Sequence, residues 1–292
     1  MAILVTGSTG TIGSQVVAQL ATRGADVLAL TRSPDKARFP EGVTAVKGDF
    51  TDVESMRSAL SMASTLFLLN AVTPDEVTQA LIALNLARSA DIERIVYLSV
   101  FHSDLYTNVP HFAGKFTVER MIEQYQLPVT ILRPAYFIQN DITIKDVIAG
   151  YGVYPMPVGS IGLSMVDTRD IAEVAALELL RRERSSTPLP GEVVNVVGPD
   201  VLNGAQLARL WSEVLNREIA YGGDDSAAFE QNMKAFAPDW MAYDMRLMTE
   251  RFQQDGMVAS VADTSRLTKM LDRPLRSYRE FAEETAQQLQ PG

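Results

Sequence analysis

Six short apolar runs, helical spacing between them and a glycine-rich turn at the first crossover predict an α/β chain. The expected architecture is a doubly wound parallel sheet with a smaller, mainly helical C-terminal lobe. The runs are 2–6 (AILVT), 26–31 (DVLALT), 43–47 (VTAVK), 64–69 (STLFLL), 94–99 (RIVYLS) and 128–132 (PVTIL). Near-continuous Val, Ile and Leu over so few residues suits strands covered on both faces, as parallel strands are. Between the first two runs, Ile12, Val16, Val17 and Leu20 repeat at helical spacing over 12–21. Repeated βα units demand right-handed crossovers, which winds the sheet in both directions.

After about residue 140 the rhythm changes. Segment 150–164 (GYGVYPMPVGSIGLS) is crowded with Gly and Pro and reads as loop with one short strand. A helix is expected over 168–183, with Asp167 as N-cap and Asp170 three residues on. A strand at 193–197 (VVNVV) and a helix at 203–216 follow. From 224 the chain is helical and rich in Met and aromatics: Phe229, Met233, Phe236, Trp240, Met241, Tyr243, Met245 and Met248. That concentration reads as lobe core, or as a flat pocket wall for a planar acceptor headed by Trp240 and Tyr243.

Composition excludes several classes. The chain has 292 residues, 47% hydrophobic and 21% charged, which rules out disorder and allows a large core. Lys and Arg number 26 against 36 Asp and Glu, a net charge of −10. The densest basic cluster, Arg181, Arg182 and Arg184, falls at a helix end, so nucleic acid is not an expected partner. Cysteine is absent and there are only two histidines, His102 and His111. That removes disulfides, thiolate nucleophiles and Cys-ligated zinc, and leaves no histidine-rich metal site. No apolar run approaches the ~18–20 residues of a membrane span, and MAILVTGSTG does not read as a signal peptide. A soluble, cytoplasmic protein without a membrane partner is expected.

Residues 6–13 read TGSTGTIG, with glycines at 7, 10 and 13, after the first strand and opening the first helix. One glycine permits the tight turn, one lets backbone approach a pyrophosphate, and one allows close helix–strand packing. Gly7, Thr9, Gly10, Thr11, Ile12 and Gly13 are therefore candidate cofactor contacts, with helix-start amides facing the phosphates. The alternative is a tight turn with no ligand. At the end of the second strand an acidic residue would bind the ribose of NAD, whereas an arginine accommodates the phosphate of NADP. Here Arg32 follows Thr31, with no carboxylate before Asp35 and with Lys36 and Arg38 close by. NADP(H) is preferred over NAD(H), because a guanidinium offers a phosphate two parallel hydrogen bonds.

KGDFTD at the end of the third strand places Asp49 and Phe50 for the adenine edge and face. Asp49 also suits a turn, and Asp52 a helix cap. After the fourth strand, Asn70 and Ala71 are candidates for the central riboses, and Thr73 is a weaker one. After the sixth strand LRPAYFIQN begins. There Tyr136, Phe137 and Asn140 are candidates for the nicotinamide or substrate side, with Phe137 the preferred stacking residue. Packing is the competing role for each. The chain thus divides into an NAD(P)-binding Rossmann-type domain at 1–155, with return segments at about 164–198, and a smaller substrate-side lobe at 199–292.

TGSTGTIG at 6–13, Arg32, GDFTD at 48–52, LRPAYFIQN at 132–140, VDTRDIA at 166–172 and LDRPLRSYREFA at 271–282 together resemble the NmrA-like family. These are atypical short-chain dehydrogenase/reductase proteins, and the resemblance spans nearly the whole chain. It implies kinship with bacterial NAD(P)H-dependent quinone, azo-dye and triphenylmethane-dye reductases. It also admits regulators that bind NADP(H) without turning it over. Short-chain dehydrogenases generally use a Ser, a Tyr and a Lys. In those terms Ser99 matches the serine and Lys115 the lysine, while His111 stands where the tyrosine would be.

Spacing in HFAGKFTVERMIEQY supports Lys115 separately. Val118, Ile122 and Tyr125 form an apolar stripe, with Met121 at its edge, and His111 and Lys115 project onto the same face. The alternative has Lys115 snorkelling past the helix end or pairing with Glu119. His111 is a candidate proton donor to a quinone or azo nitrogen, or a residue that merely starts the helix. The expectation is an NADP(H)-dependent oxidoreductase transferring hydride to a quinone, azo or similar conjugated small molecule. The rivals are a non-catalytic NADP(H)-binding redox sensor and an epimerase-like enzyme with tightly held cofactor.

Overall fold

A computed structural model describes residues 2–289, and each of the six apolar runs forms a strand. These are β1 (Ile3–Val5), β2 (Val27–Thr31), β3 (Val43–Lys47), β4 (Thr65–Leu68), β5 (Arg94–Leu98) and β6 (Val129–Pro134). The helices among them are α1 (Thr11–Thr22), α2 (Val53–Leu60), α3 (Glu76–Ser89) and α4 (Pro110–Gln124). Next come a 3-10 segment at Ile138–Ile144, α5 (Lys145–Tyr151), β7 (Val153–Tyr154), α6 (Thr168–Arg184) and β8 (Glu192–Val196). The chain continues with α7 (Gly204–Leu215), β9 (Ala220–Tyr221), α8 (Ser226–Met233), α9 (Asp239–Asp255), α10 (Val261–Leu271) and α11 (Tyr278–Leu289).

The main sheet has seven strands in the order β3-β2-β1-β4-β5-β6-β8, and neighbours from β3 through β6 pair in parallel. This is the doubly wound Rossmann-type order, whose direction of winding reverses between β1 and β4. β1 and β4 are buried along their whole length, as strands covered on both faces must be. β3 departs from that rule. It is the edge strand, and of its five residues only Val46 is buried. Against the sheet α1 buries Ile12, Val16, Val17 and Leu20, each contributing about 2 kcal/mol of apolar transfer.

Two compact units divide the chain. The first runs up to Ser103 and takes in Ala113–Arg133 and Arg169–Asn195. Of its basic cluster only Arg182 is internal: it is 1% exposed and donates to Thr130 Oγ1 and to the carbonyls of Pro128, Leu189 and Pro190, while Arg181 and Arg184 are exposed. Arg181 pairs with Glu178 and Glu192. The second unit comprises Asp104–Phe112, Pro134–Thr168 and the chain from Val196 on. There β7 and β9 form a two-residue parallel pair. The Gly- and Pro-rich 150–164 thus contains one short strand.

The core of the second unit is not the Met and aromatic run at 229–248. Of its eight singled-out residues only Met248 is buried, while Phe236 is 79% exposed. The interior is built instead from Tyr106, Tyr154, Trp211, Phe252, Tyr278 and Phe281. Pro238 causes part of the difference. It is the N-cap of α9 and separates that helix from α8, so no continuous apolar face runs through 229–248.

Candidate functional site

The loop after β1 is tied down on both sides of the switch in winding. The Thr6 hydroxyl donates to the Leu69 carbonyl and accepts from the Leu69 amide, both at 2.8 Å, joining the ends of β1 and β4. Ser8 Oγ donates to the Leu30 carbonyl at 2.6 Å, fixing the loop to β2. Gly7 has φ +60°, where glycine is favoured, and a Cβ there would meet Leu69 at 3.0 Å. A Cβ on Gly13 would lie 2.1 Å from the Gly7 carbonyl oxygen, so only hydrogen fits where α1 packs on the turn.

Gly10 differs. Its Cβ would meet nothing nearer than 3.3 Å, and the residue is exposed. It is the N-cap of α1, without a side-chain cap, and Thr9 and Thr11 beside it are exposed while Ile12 is buried. First-turn amides have no intrahelical acceptor, so they face outward over a glycine and suit an anion. A cradle that a Cβ would fill, with donors aimed out of it, fits the pyrophosphate of a dinucleotide.

Around it, Arg32 is exposed just past β2. Asp49 Oδ1 accepts from the Thr51 amide at 2.9 Å and hydroxyl at 2.7 Å. Those bonds, with a smaller contribution from the charge of Arg32, hold its carboxyl below the usual range. Asp49 is thus a turn residue, and Asp52 caps α2 through the Ser55 amide. Phe50 packs partly against the core. Asn70 is 3% exposed and donates to the Glu76 carbonyl at 3.0 Å. Its Oδ1 has no partner among the described residues. A buried acceptor without a donor suits a hydroxyl-bearing ligand. Ala71 next to it is exposed.

Lys115 is 6% exposed, and its Nζ lies 2.6 Å from Glu76 Oε1 and 5.5 Å from the centre of the Tyr97 ring. Glu76 opens α3 and was not singled out in the sequence, because a first-turn glutamate ordinarily faces solvent. Glu119 is not the partner of Lys115. It is 1% exposed and takes Arg133 through both carboxylate oxygens. Ser99 Oγ donates to Glu119 Oε1 at 2.5 Å, and Ser103 adds a bond at 3.1 Å. The Ser99 proton is therefore committed inside a buried network. Glu119 was visible in principle, since it sits four residues after Lys115 on a helix face that also carries Ile122. Tyr125 leaves that face: it follows the end of α4, is 46% exposed and lies under the Arg88 guanidinium at 4.5 Å.

In the second unit, His111 holds Asp244 of α9 by two bonds. The His111 amide donates to Oδ2 at 3.0 Å, and Nδ1 pairs with Oδ1. Asp244 is 1% exposed. It too was legible, because Asp244, Met248 and Phe252 recur at four-residue spacing on one helix face. Tyr136 stands edge-on to Phe252, and burial followed by the charge of Asp141 raises its phenol above the usual range. Phe137 is half-buried and caps the 3-10 segment, and Asn140 within that segment is exposed. Trp240 and Tyr243, at 37% and 49% exposure, lie off the buried face of α9.

Strand order, the turn between β1 and α1 and the outward amides define a protein of the Rossmann-type dinucleotide-binding class. Residues 1–283 match the NmrA-like family, and the chain belongs to that family. It is 28% identical over 285 residues to an NAD(P)H azoreductase of Xenophilus azovorans, covering 96% of each chain. Among solved structures it is similar to an NADPH-dependent quinone oxidoreductase of Escherichia coli complexed with NADPH. That likeness has a TM-score of 0.86 at 21% identity and covers 98% of this chain and 99% of the other. It is also similar to the Citrobacter sp. triphenylmethane reductase complexed with NADP(H). Here the TM-score is 0.83 at 21% identity, with 97% and 99% coverage.

Proposed function

We propose that this protein is an NAD(P)H-dependent oxidoreductase that passes hydride to a small conjugated acceptor of the quinone, azo or triarylmethyl-dye kind. The observation that carries the reading is the open cradle at Gly10, backed by the tight packing of Gly7 and Gly13. When bound, a reduced nicotinamide supplies the hydride. The chain binds and orients. Amides of Thr11, Ile12 and Gly13 hold the pyrophosphate, and Thr9 and Gly10 let it come close. Asn70 Oδ1 accepts from a ribose hydroxyl beside Ala71, and Lys115, kept inward by Glu76, donates to ribose oxygens. Phe137, Trp240, Tyr243 and Asn140 are the residues offered to a planar acceptor. The names of the relatives, which include azoreductase, quinone oxidoreductase and triphenylmethane reductase, support the acceptor class.

NADPH is the preferred donor in this reading, supported by the exposed Arg32 just past β2, whose guanidinium can bind a 2′-phosphate. The test is cofactor oxidation with a panel of quinones and dyes, run with NADPH and NADH on wild type and Arg32→Asp. Turnover above the uncatalysed rate is expected, with NADPH favoured. In the variant, kcat/KM for NADPH falls by about 10- to 100-fold, the loss of a charged hydrogen bond, while that for NADH changes little. Equal losses would remove the phosphate assignment. Silence with every acceptor, although NADPH binds, would overturn the enzyme reading in favour of a sensor.

A further inference from the structure

We propose that His111 and Asp244 form an acid–base dyad that delivers the proton a heteroatom acceptor needs after hydride addition, with Asp244 as its positioning residue. The inference rests on the reductase reading above and names the acceptor class it serves.

The geometry is specific. A buried carboxylate costs several kcal/mol unless paired. Among the described residues both Asp244 oxygens find their hydrogen-bond partner in His111, one in its amide and one in its ring. No Lys or Arg among the described residues pairs with Asp244, although the chain has 26 of them. Capping alone would not require an imidazole, since the amide of any residue but proline at 111 could reach Oδ2. The ring bond does something more. A carboxylate at Nδ1 holds the proton on that nitrogen and leaves Nε2 as the working atom. Nε2 has no hydrogen-bond partner among the described residues, the side chain is 11% exposed, and Phe112 stands edge-on to the ring at 4.6 Å. His111 is thus fixed in orientation and tautomer with one nitrogen uncommitted. On α4 it stands four residues, about one turn, before Lys115.

Proton bookkeeping divides the acceptors. A quinone that takes hydride becomes an aryloxide, and an azo group becomes a nitrogen anion. Either then takes a proton: the Nε2–H bond breaks, its electron pair stays on nitrogen, and an O–H or N–H bond forms. The imidazole left behind is neutral, still donates Nδ1–H to Asp244, and regains its proton from water. A triarylmethyl dye cation takes hydride at carbon and ends neutral, so it needs no proton. The dyad therefore matters for quinones and azo compounds and not for dye cations.

Two experiments test this on the full-length protein. The first measures kcat on a quinone and on a triarylmethyl cation for wild type, His111→Gln and Asp244→Asn. The quinone-to-cation ratio is expected to fall by about 10²-fold or more in His111→Gln and by less in Asp244→Asn, the range of general acid catalysis. An unchanged ratio, with both acceptors slowed alike, would overturn the dyad. Wild-type silence on both acceptors would instead overturn the reductase reading. The second experiment needs no turnover. Nitrogen NMR of the two imidazoles, assigned with His102→Gln, is expected to show neutral His111 protonated on Nδ1 with Nε2 bare. In Asp244→Asn the protonation of the two nitrogens is expected to change. A wild-type His111 protonated on Nε2 in its neutral form would overturn the dyad even if the variants fail to fold.

Discussion

Asp141 is a carboxylate buried to 1% exposure with a phenol on either side. Tyr154 and Tyr278 both donate to its Oδ2, at 2.9 and 2.5 Å, and Oδ1 has no partner among the described residues. Burial pushes its pKa up to about 6 against the tyrosine bonds that lower it, from an ordinary 3.8. The folded state therefore holds this proton more tightly than the unfolded chain does. Stability from this group is full below the ordinary value and declines as pH rises through about 6. In Asp141→Asn that decline is absent, so the variant gains on wild type between pH 4 and 7 by on the order of 3 kcal/mol. Chemical denaturation at several pH values checks this, and parallel pH curves for the two proteins would refute it. Nothing in the sequence around Asp141 signalled the cluster, because Tyr154 and Tyr278 lie 13 and 137 residues away. The glycines at 7, 10 and 13 were legible, since their spacing is local and two of them, Gly7 and Gly13, answer a local steric demand.

Helices α3 and α4 are joined by an ion pair that local reading half-finds. Lys115 was placed inward by its alignment with Val118 and Ile122, and it is buried. Its partner Glu76 comes from another element, so no periodicity within α4 could name it. Side chains at 8% and 5% exposure make this a desolvated pair, for which removing one charge costs about 3–5 kcal/mol. Glu76→Gln and Lys115→Met are each expected to cost about that much. The double variant should cost clearly less than the sum, because it strands no charge. Urea titration of the four proteins measures the coupling, and strict additivity would deny the pair. Element by element, α1, α4, α6, α7 and the six runs were predicted because periodicity and burial agree there. The Met and aromatic run misled because hydrophobic content was read without the break at Pro238, which leaves Trp240, Tyr243 and Phe236 facing out.

For the molecule as a whole, the first unit is the more legible. Its strands follow one another at short range and repeat one βα logic, so order and winding follow from few rules. The second unit, like the first, gathers three stretches of chain, but its core tyrosines, Trp211 and Phe252 come from all of them with no repeating unit to order them. Such long-range assembly leaves little trace in any window of sequence. The candidate site divides in the same way. The cradle and Arg32 belong to one continuous βαβ unit and can be proposed from the sequence alone, whereas Glu76, Asp244 and the Glu119–Arg133 pair needed the fold.

In the proposed function, a reduced nicotinamide dinucleotide held by that cradle gives up hydride to a conjugated acceptor. The most direct measurement is the fate of the transferred hydrogen. NADPH deuterated at C4 is incubated with the protein and a triarylmethyl dye cation, and the colourless product is weighed by mass spectrometry. The product is expected to carry one deuterium at its central carbon, from one of the two C4-deuterated stereoisomers only. Unlabelled product from both stereoisomers, or no product beyond the uncatalysed rate, would rule out hydride transfer from a bound nicotinamide.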